Sequence, residues 1–165
     1  MTRLPVLLFW LLVASFVHYV VSSVSTLPEQ VATHFGGGGV PNGWMTRNGY
    51  RTFILAFGLG LPFFIIGLHY LLARYAGNQF NIPNREYWLA PERRAETLGF
   101  MLRHSWWLGC LLLSFMIAVH HLLLISNLTS PPRLSAVPFL LFLATFLMGL
   151  CGWVLVLVTR FRKKP

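Results

Sequence analysis

An all-α membrane protein with four spanning helices is the fold this sequence predicts, and three observations predict it. Four long stretches carry no Asp, Glu, Lys or Arg, every charged residue lies between or beyond them, and the basic residues divide unequally between the two sides of an alternating path. The uncharged stretches cover residues 4–24, 52–73, 105–126 and 135–159. Each meets the roughly 20 residues that a helix, rising ~1.5 Å per residue, needs to cross a hydrocarbon core of ~30 Å. Lipid offers backbone N–H and C=O groups no partner, so segments that bond internally are required, and the helix is the structure a single segment can form.

Composition agrees. Of 165 residues, 56% are hydrophobic and 10% charged, with a mean hydropathy of +0.64, whereas soluble domains carry about 25% charged residues. The first span, preceded by Arg3 and followed by Ser22, Ser23 and Ser25, has some features of a cleaved signal peptide. Its apolar run exceeds the roughly 7–15 residues of such a region, so a retained helix is expected. The expected organisation is a single membrane domain over residues 1–165, a four-helix bundle with a long extracytoplasmic first loop.

The net charge of +9 does not point to nucleic acid, because the basic residues sit where helices leave the membrane. Four crossings put Arg3, Arg74, Arg85, Arg93, Arg94, Arg103, Arg160, Arg162, Lys163 and Lys164 on one side, and Arg47, Arg51 and Arg133 on the other. Excess Lys and Arg mark the cytoplasmic side. A multi-pass protein of the inner (plasma) membrane with both termini cytoplasmic is expected, with Arg162, Lys163 and Lys164 anchored near anionic lipid. Trp106 and Trp107 at one face, and Trp44 and Tyr50 at the other, suit the boundary preference of amphipathic rings.

In the long inner loop, Pro91, Glu92 and Glu96 resemble a helix start, with proline in the first turn and acids near the positive end of the dipole. Ala95, Leu98, Gly99 and Leu102 follow at helical spacing. The reading is a cytoplasmic amphipathic segment that lies on the membrane surface and runs into the third span, with Arg93, Arg94 and Arg103 facing lipid phosphates. Within the second span Ala56, Gly60 and Gly67 share one side, and Thr145 and Gly149 are four apart in the fourth. Small residues so spaced let helices approach closely. Pro62 is expected to kink the second span.

The first loop holds the most informative block. Residues 27–47 read LPEQVATHFGGGGVPNGWMTR. Pro41-Asn42-Gly43 is turn chemistry, and the glycines at 36–39 read as a flexible connector, since no Gly-Lys-Ser/Thr follows to make a phosphate loop. Pro28, His34, Phe35, Gly39, Pro41, Asn42, Gly43, Trp44 and Arg47 together resemble the signature of a bacterial membrane-protein family known as a domain of unknown function, DUF1648, also found at the front of Sdp-type toxin immunity proteins. The inner block at residues 81–94 is similar to a second block of a subgroup. The resemblance implies a ligand- or toxin-facing surface built from His34, Phe35, Asn42, Trp44 and Arg47.

Histidines are the remaining chemistry. By helical rise, His18 and His120 each lie roughly 9 Å below the outer surface, with His121 one residue shallower and His34 in the loop above. Intramembrane ionisable groups face protein or water, so His18, His34, His120 and His121 form a candidate metal set. The favoured reading of His18, His69, His120 and His121 is a neutral ring bonded to a neighbouring helix, because Glu29 is the one acid on that side and no His-Glu-x-x-His or Cys-x-x-Cys pattern is present. Cys110 and Cys151, at comparable depth, read as small core hydrophobes. Asn127-Leu128-Thr129 matches a glycosylation sequon but lies against the membrane.

The leading functional expectation is a non-enzymatic envelope protein, without a cofactor, that senses, binds or protects against something reaching the outer loop. A His-based metal or proton handler and a structural subunit of a membrane complex are the alternatives. Expected partners are the lipid bilayer and either a second copy or another membrane protein.

Overall fold

The computed structural model describes residues 3–75 and 80–162; Lys163 and Lys164 of the expected anchor lie outside them. The order of elements is α1 (Leu4–Ser23), a 3-10 turn (Val24–Thr26), β1 (Gln30–Phe35), β2 (Pro41–Thr46), α2 (Arg47–Tyr75), the single turn α3 (Arg85–Trp88), α4 (Pro91–Asn127) and α5 (Ala136–Arg162). α1, α2, α4 and α5 are long and apolar enough to cross a membrane. The chain is a multi-pass helical membrane protein.

The spans are those expected, but their ends and one connection differ. α2 begins at Arg47 rather than at residue 52. Its first turn is polar and reads as loop, yet Thr46 Oγ1 accepts the Gly49 N–H at 3.1 Å and so caps the helix. α4 is continuous over 37 residues, a length of ~55 Å. The expected surface segment is therefore not a separate element. It forms the first turns of α4 and projects beyond the thickness that lipid requires.

The first loop is a β-hairpin, not a flexible connector. β1 and β2 pair antiparallel with Val31 opposite Met45, Ala32 opposite Trp44 and His34 opposite Gly43. The turn lies at the glycines: the Gly36 N–H donates to Val40 O, and the Gly39 N–H to Gly36 O, both at 2.9 Å. Pro41-Asn42-Gly43, read as the turn, is extended and belongs to β2. Gly43 is required there because a Cβ would sit 2.9 Å from that of His34 across the pair. Gly39, at φ +73°, is left-handed, and its carbonyl accepts the Leu134 N–H at 3.0 Å, tying the hairpin tip to the loop before α5.

The core lies among α1, α2 and α4, where Phe9, Phe16, Val20, Ile54, Leu113 and Met116 interlock. Phe9 meets Phe63 and Trp106 edge-on, each with centroids 5.2 Å apart. The buried row of α2 is Tyr50, Ile54, Gly58, Pro62 and Ile66, one residue every four. Ala56, Gly60 and Gly67, expected on the packing side, are exposed. The glycines that allow close approach are Gly58, against Phe16, and Gly109, between Ile66 and Phe9. α5 lies outside this trio along α4, with Phe161 its buried residue. On α5 Thr145 is exposed and Gly149 lies against Leu111. Cys110 is buried and donates to the Pro5 carbonyl at 3.4 Å, while Cys151 faces outward, so the two do not meet.

A Cβ on Gly58 would stand 2.5 Å from the Phe16 ring, whereas one on Gly60 meets nothing within 4 Å. Gly58→Leu is expected to destabilise by about 1–3 kcal/mol or more, as overpacking does, and Gly60→Leu to be near neutral. Thermal unfolding of both in the same detergent checks this; equal losses would place the helix interface on the wrong side.

Candidate binding site under the hairpin

The end of the bundle that carries the hairpin is organised by polar side chains from α4. His120 is fully buried, at 0% exposure, and both ring nitrogens are engaged. Nε2 lies 2.8 Å from Ser23 Oγ on α1, and Nδ1 lies 2.7 Å from the Tyr50 hydroxyl on α2. Ser23 Oγ donates its one hydrogen to the Tyr19 carbonyl at 2.6 Å. It must therefore accept from Nε2–H, which leaves Nδ1 to accept from Tyr50. One neutral tautomer satisfies every group. Tyr50 also stacks on the His120 ring at 17° and 5.8 Å.

The same direction of hydrogen bonding bears on chemistry. A serine nucleophile needs to give its proton to the histidine, but Ser23 Oγ gives it to a backbone carbonyl. No carboxylate orients His120 on the far side, where Tyr50 stands. The cluster is a latch between α1, α2 and α4.

About two turns further along, Asn127 joins α4 to the hairpin. Its Oδ1 accepts the Ala32 N–H at 2.7 Å, and its Nδ2 donates to Ala32 O at 2.9 Å and to Leu123 O at 2.8 Å. A side-chain amide thus pairs with the backbone of β1 as a neighbouring strand would. Arg47 closes the base of the hairpin, with its N–H on Glu29 O at 2.9 Å and its Nε reaching Pro28 O at 3.4 Å.

Held at Asn127 and at Gly39, the hairpin roofs a cavity of about 410 Å³ between the last turns of α4 and the first turn of α5. Its floor is Leu122, Leu123, Leu134 and Phe139, and its rim is His34, Phe35 and the glycine turn. Across the hairpin, His34 Nδ1 bonds to Asn42 Oδ1. An amide oxygen can only accept, so Nδ1 carries the hydrogen, and in the neutral tautomer with that hydrogen Nε2 is an acceptor. An apolar chamber with one directed polar group at its mouth is the usual form of a small-ligand site.

Of the residues singled out in the sequence, His34, Phe35 and Asn42 come together here. Trp44 is 50% exposed on β2, away from the chamber, and Arg47 is structural. The candidate metal set does not assemble. His18 is exposed on α1, His121 pairs with the Tyr19 hydroxyl at 2.7 Å, His120 is enclosed by the latch, and His34 is in the hairpin. Among the described residues no group of three or more His, Cys, Asp or Glu could hold a metal. Equal depth along two helices did not imply equal direction. His69 bonds its own helix at Ile65 O, 2.8 Å, rather than a neighbour. At the opposite end Arg93 lies 4.0 Å over the Tyr87 ring, Arg94 is half-buried and Arg162 exposed.

Sequence reasoning did not single out Tyr19, and it named Ser23 and Asn127 only as part of a cleavage-site pattern and of a sequon. Tyr19 and Ser23 are four apart on α1 and so share a face, a legible signal. Asn127 was visible at the end of an apolar run, where an amide has to find backbone to bond.

Residues 10–61 match the family described as "Domain of unknown function (DUF1648)". The matched segment comprises most of α1, the hairpin and the first half of α2. No curated protein and no solved structure shows significant similarity to the chain. Both hydrogen bonds of His120 in the latch run between this segment and α4, which lies beyond it.

Asn127→Leu removes both bonds to Ala32 and leaves its buried amide unpaired, which is expected to cost about 1–3 kcal/mol. Faster hydrogen exchange at the Ala32 amide, with helix content unchanged by circular dichroism, is the expected signature. Unchanged exchange would mean that the hairpin is held by the Gly39 contact alone.

Proposed function

We propose that this chain, with its DUF1648 domain at residues 10–61, is a non-enzymatic bacterial inner-membrane protein that captures an amphipathic ligand in the chamber under the hairpin, as an immunity-type or sensing protein would. The observation that carries the reading is the chamber itself. Its apolar floor opens at the boundary between α4 and α5, and the free Nε2 of His34 stands at the rim to accept one hydrogen bond. A membrane-active peptide has this chemistry, an apolar side chain beside donor groups, and reaches such a mouth by partitioning into the boundary.

The division of basic residues supports a cytoplasmic position for both termini and an outward-facing hairpin. The resemblance of the block at residues 27–47 to the front of Sdp-type immunity proteins supports a peptide ligand. The latch supports binding over catalysis, because a site that is to hold a ligand from outside needs a fixed roof more than a reactive group.

His34→Ala removes the acceptor, and Leu123→Trp fills the floor. In cells challenged with membrane-active peptides and other envelope stresses, loss of one hydrogen bond of about 1 kcal/mol is expected to lower protection roughly fivefold. Filling the floor is expected to reduce protection to the level of a strain lacking the protein. Accumulation in the membrane fraction is to remain normal in both. If neither variant differs from the parent under any stress that distinguishes the parent from the deletion strain, the reading is wrong.

A further inference from the structure

The other end of the α4–α5 seam holds a second cavity, of about 420 Å³, with different chemistry. Its top is fixed by a reciprocal clamp. His104 Nε2–H donates to Trp153 O at 2.9 Å, Trp153 Nε1–H donates to His104 O at 2.8 Å, and the two rings stack at 11° with centroids 4.4 Å apart. In the clamp one N–H of each ring meets a backbone carbonyl. Arg103 beside it lines the cavity, and its Nη1 is buried with no hydrogen-bond partner among the described residues. Neighbouring cations are engaged otherwise: Arg160 pairs with Glu96 at 2.7 Å, and Arg93 stacks on Tyr87.

A buried guanidinium nitrogen without a partner is costly, and its planar fork suits a phosphate. Arg103 is also the last charged residue of α4 before its apolar run, so it stands at the membrane boundary. From there the cavity continues along Trp107 and Leu111 of α4 and Gly149, Gly152 and Val156 of α5. The glycines leave this face of α5 flat, and a Cβ on Gly152 would meet nothing within 4 Å. Arg103 to Leu111 is ~12 Å of helix. Leu111 also borders a narrower cavity of about 180 Å³ between Phe115, Phe142 and Phe146, so the groove runs on toward the centre of the membrane.

We propose that this groove holds one anionic phospholipid, its phosphate on Arg103 and an acyl chain laid along the glycine face of α5. Charge and polarity run in the order a lipid presents them: an anion at the boundary, then an apolar chain directed inward. The lipid fills the seam where α5 stands off from α4, so that α5 is joined to the core by the His104–Trp153 clamp and by the lipid together.

Native mass spectrometry of the full chain, titrated with phosphatidylglycerol and with phosphatidylcholine, tests this. The wild type is expected to retain phosphatidylglycerol in preference, and Arg103→Gln to lose the preference, binding it about tenfold more weakly. Gly152→Leu, which fills the groove but keeps the charge, is expected to lose retention as well. Arg103→Lys is expected to recover part of the preference and shows that the site is folded. Arg162→Gln, a surface cation, is expected to behave as wild type. Equal preference in wild type and Arg103→Gln, or full retention in Gly152→Leu, would overturn the proposal. Displacement of the lipid by millimolar inorganic phosphate alone would likewise overturn it in favour of a simple anion site.

Discussion

A polar side chain placed among apolar helices has to find its partners within the protein, and His120 does so on both ring nitrogens. That requirement organises the end of the bundle that carries the hairpin. Ser23 and Tyr50 come from two different helices, so satisfying one imidazole fixes α1 and α2 at a single level against α4. The contact is directional where the surrounding core is not. Close packing of rings such as Phe9 and Phe16 is set by shape alone, whereas two hydrogen bonds to opposite edges of one ring also fix its rotation and depth. Asn127, two turns on, carries the same register into the hairpin.

The spans were legible because the solvent dictates them: a stretch of about 20 uncharged residues has one economical structure in lipid. Their ends were less so. Arg47, Asn48 and Arg51 look like loop because they are polar, yet once α2 leaves the hydrocarbon it has no reason to stop. The hairpin was misread for a chemical reason. Pro-Asn-Gly carries the strongest turn residues in the block, but four consecutive glycines just before it offer a turn at no steric cost, and Gly43 is needed in the strand to make room for His34.

Facing was the least legible property. In a soluble helix the outward side is polar, and periodicity gives the direction. In lipid both sides are apolar, so Ala56, Gly60 and Gly67 form as convincing a row as Tyr50, Ile54, Gly58, Pro62 and Ile66, and only packing tells them apart. The histidines failed in the same way. Helical rise gives depth, and it put His18 and His120 level, but depth says nothing about azimuth, and Tyr19 and Ser23 rather than His18 turn toward α4.

The binding chambers follow from this uneven distribution of constraint. α1, α2 and α4 are joined by interlocking rings and by the latch, and the cavities described above lie elsewhere, along the seam with α5. α5 is held at points: the carbonyl of Gly39 at the loop before it, the His104–Trp153 clamp, and Phe161 against Trp88 at 5.6 Å. Between such points two helices of bulky and glycine residues cannot close fully, and space remains. The segment that matches the family supplies the hairpin roof, while α4, α5 and Leu134 between them, beyond that segment, supply the floor. Variation in α5 can therefore reshape what the chamber accepts without disturbing the latch on which the roof depends.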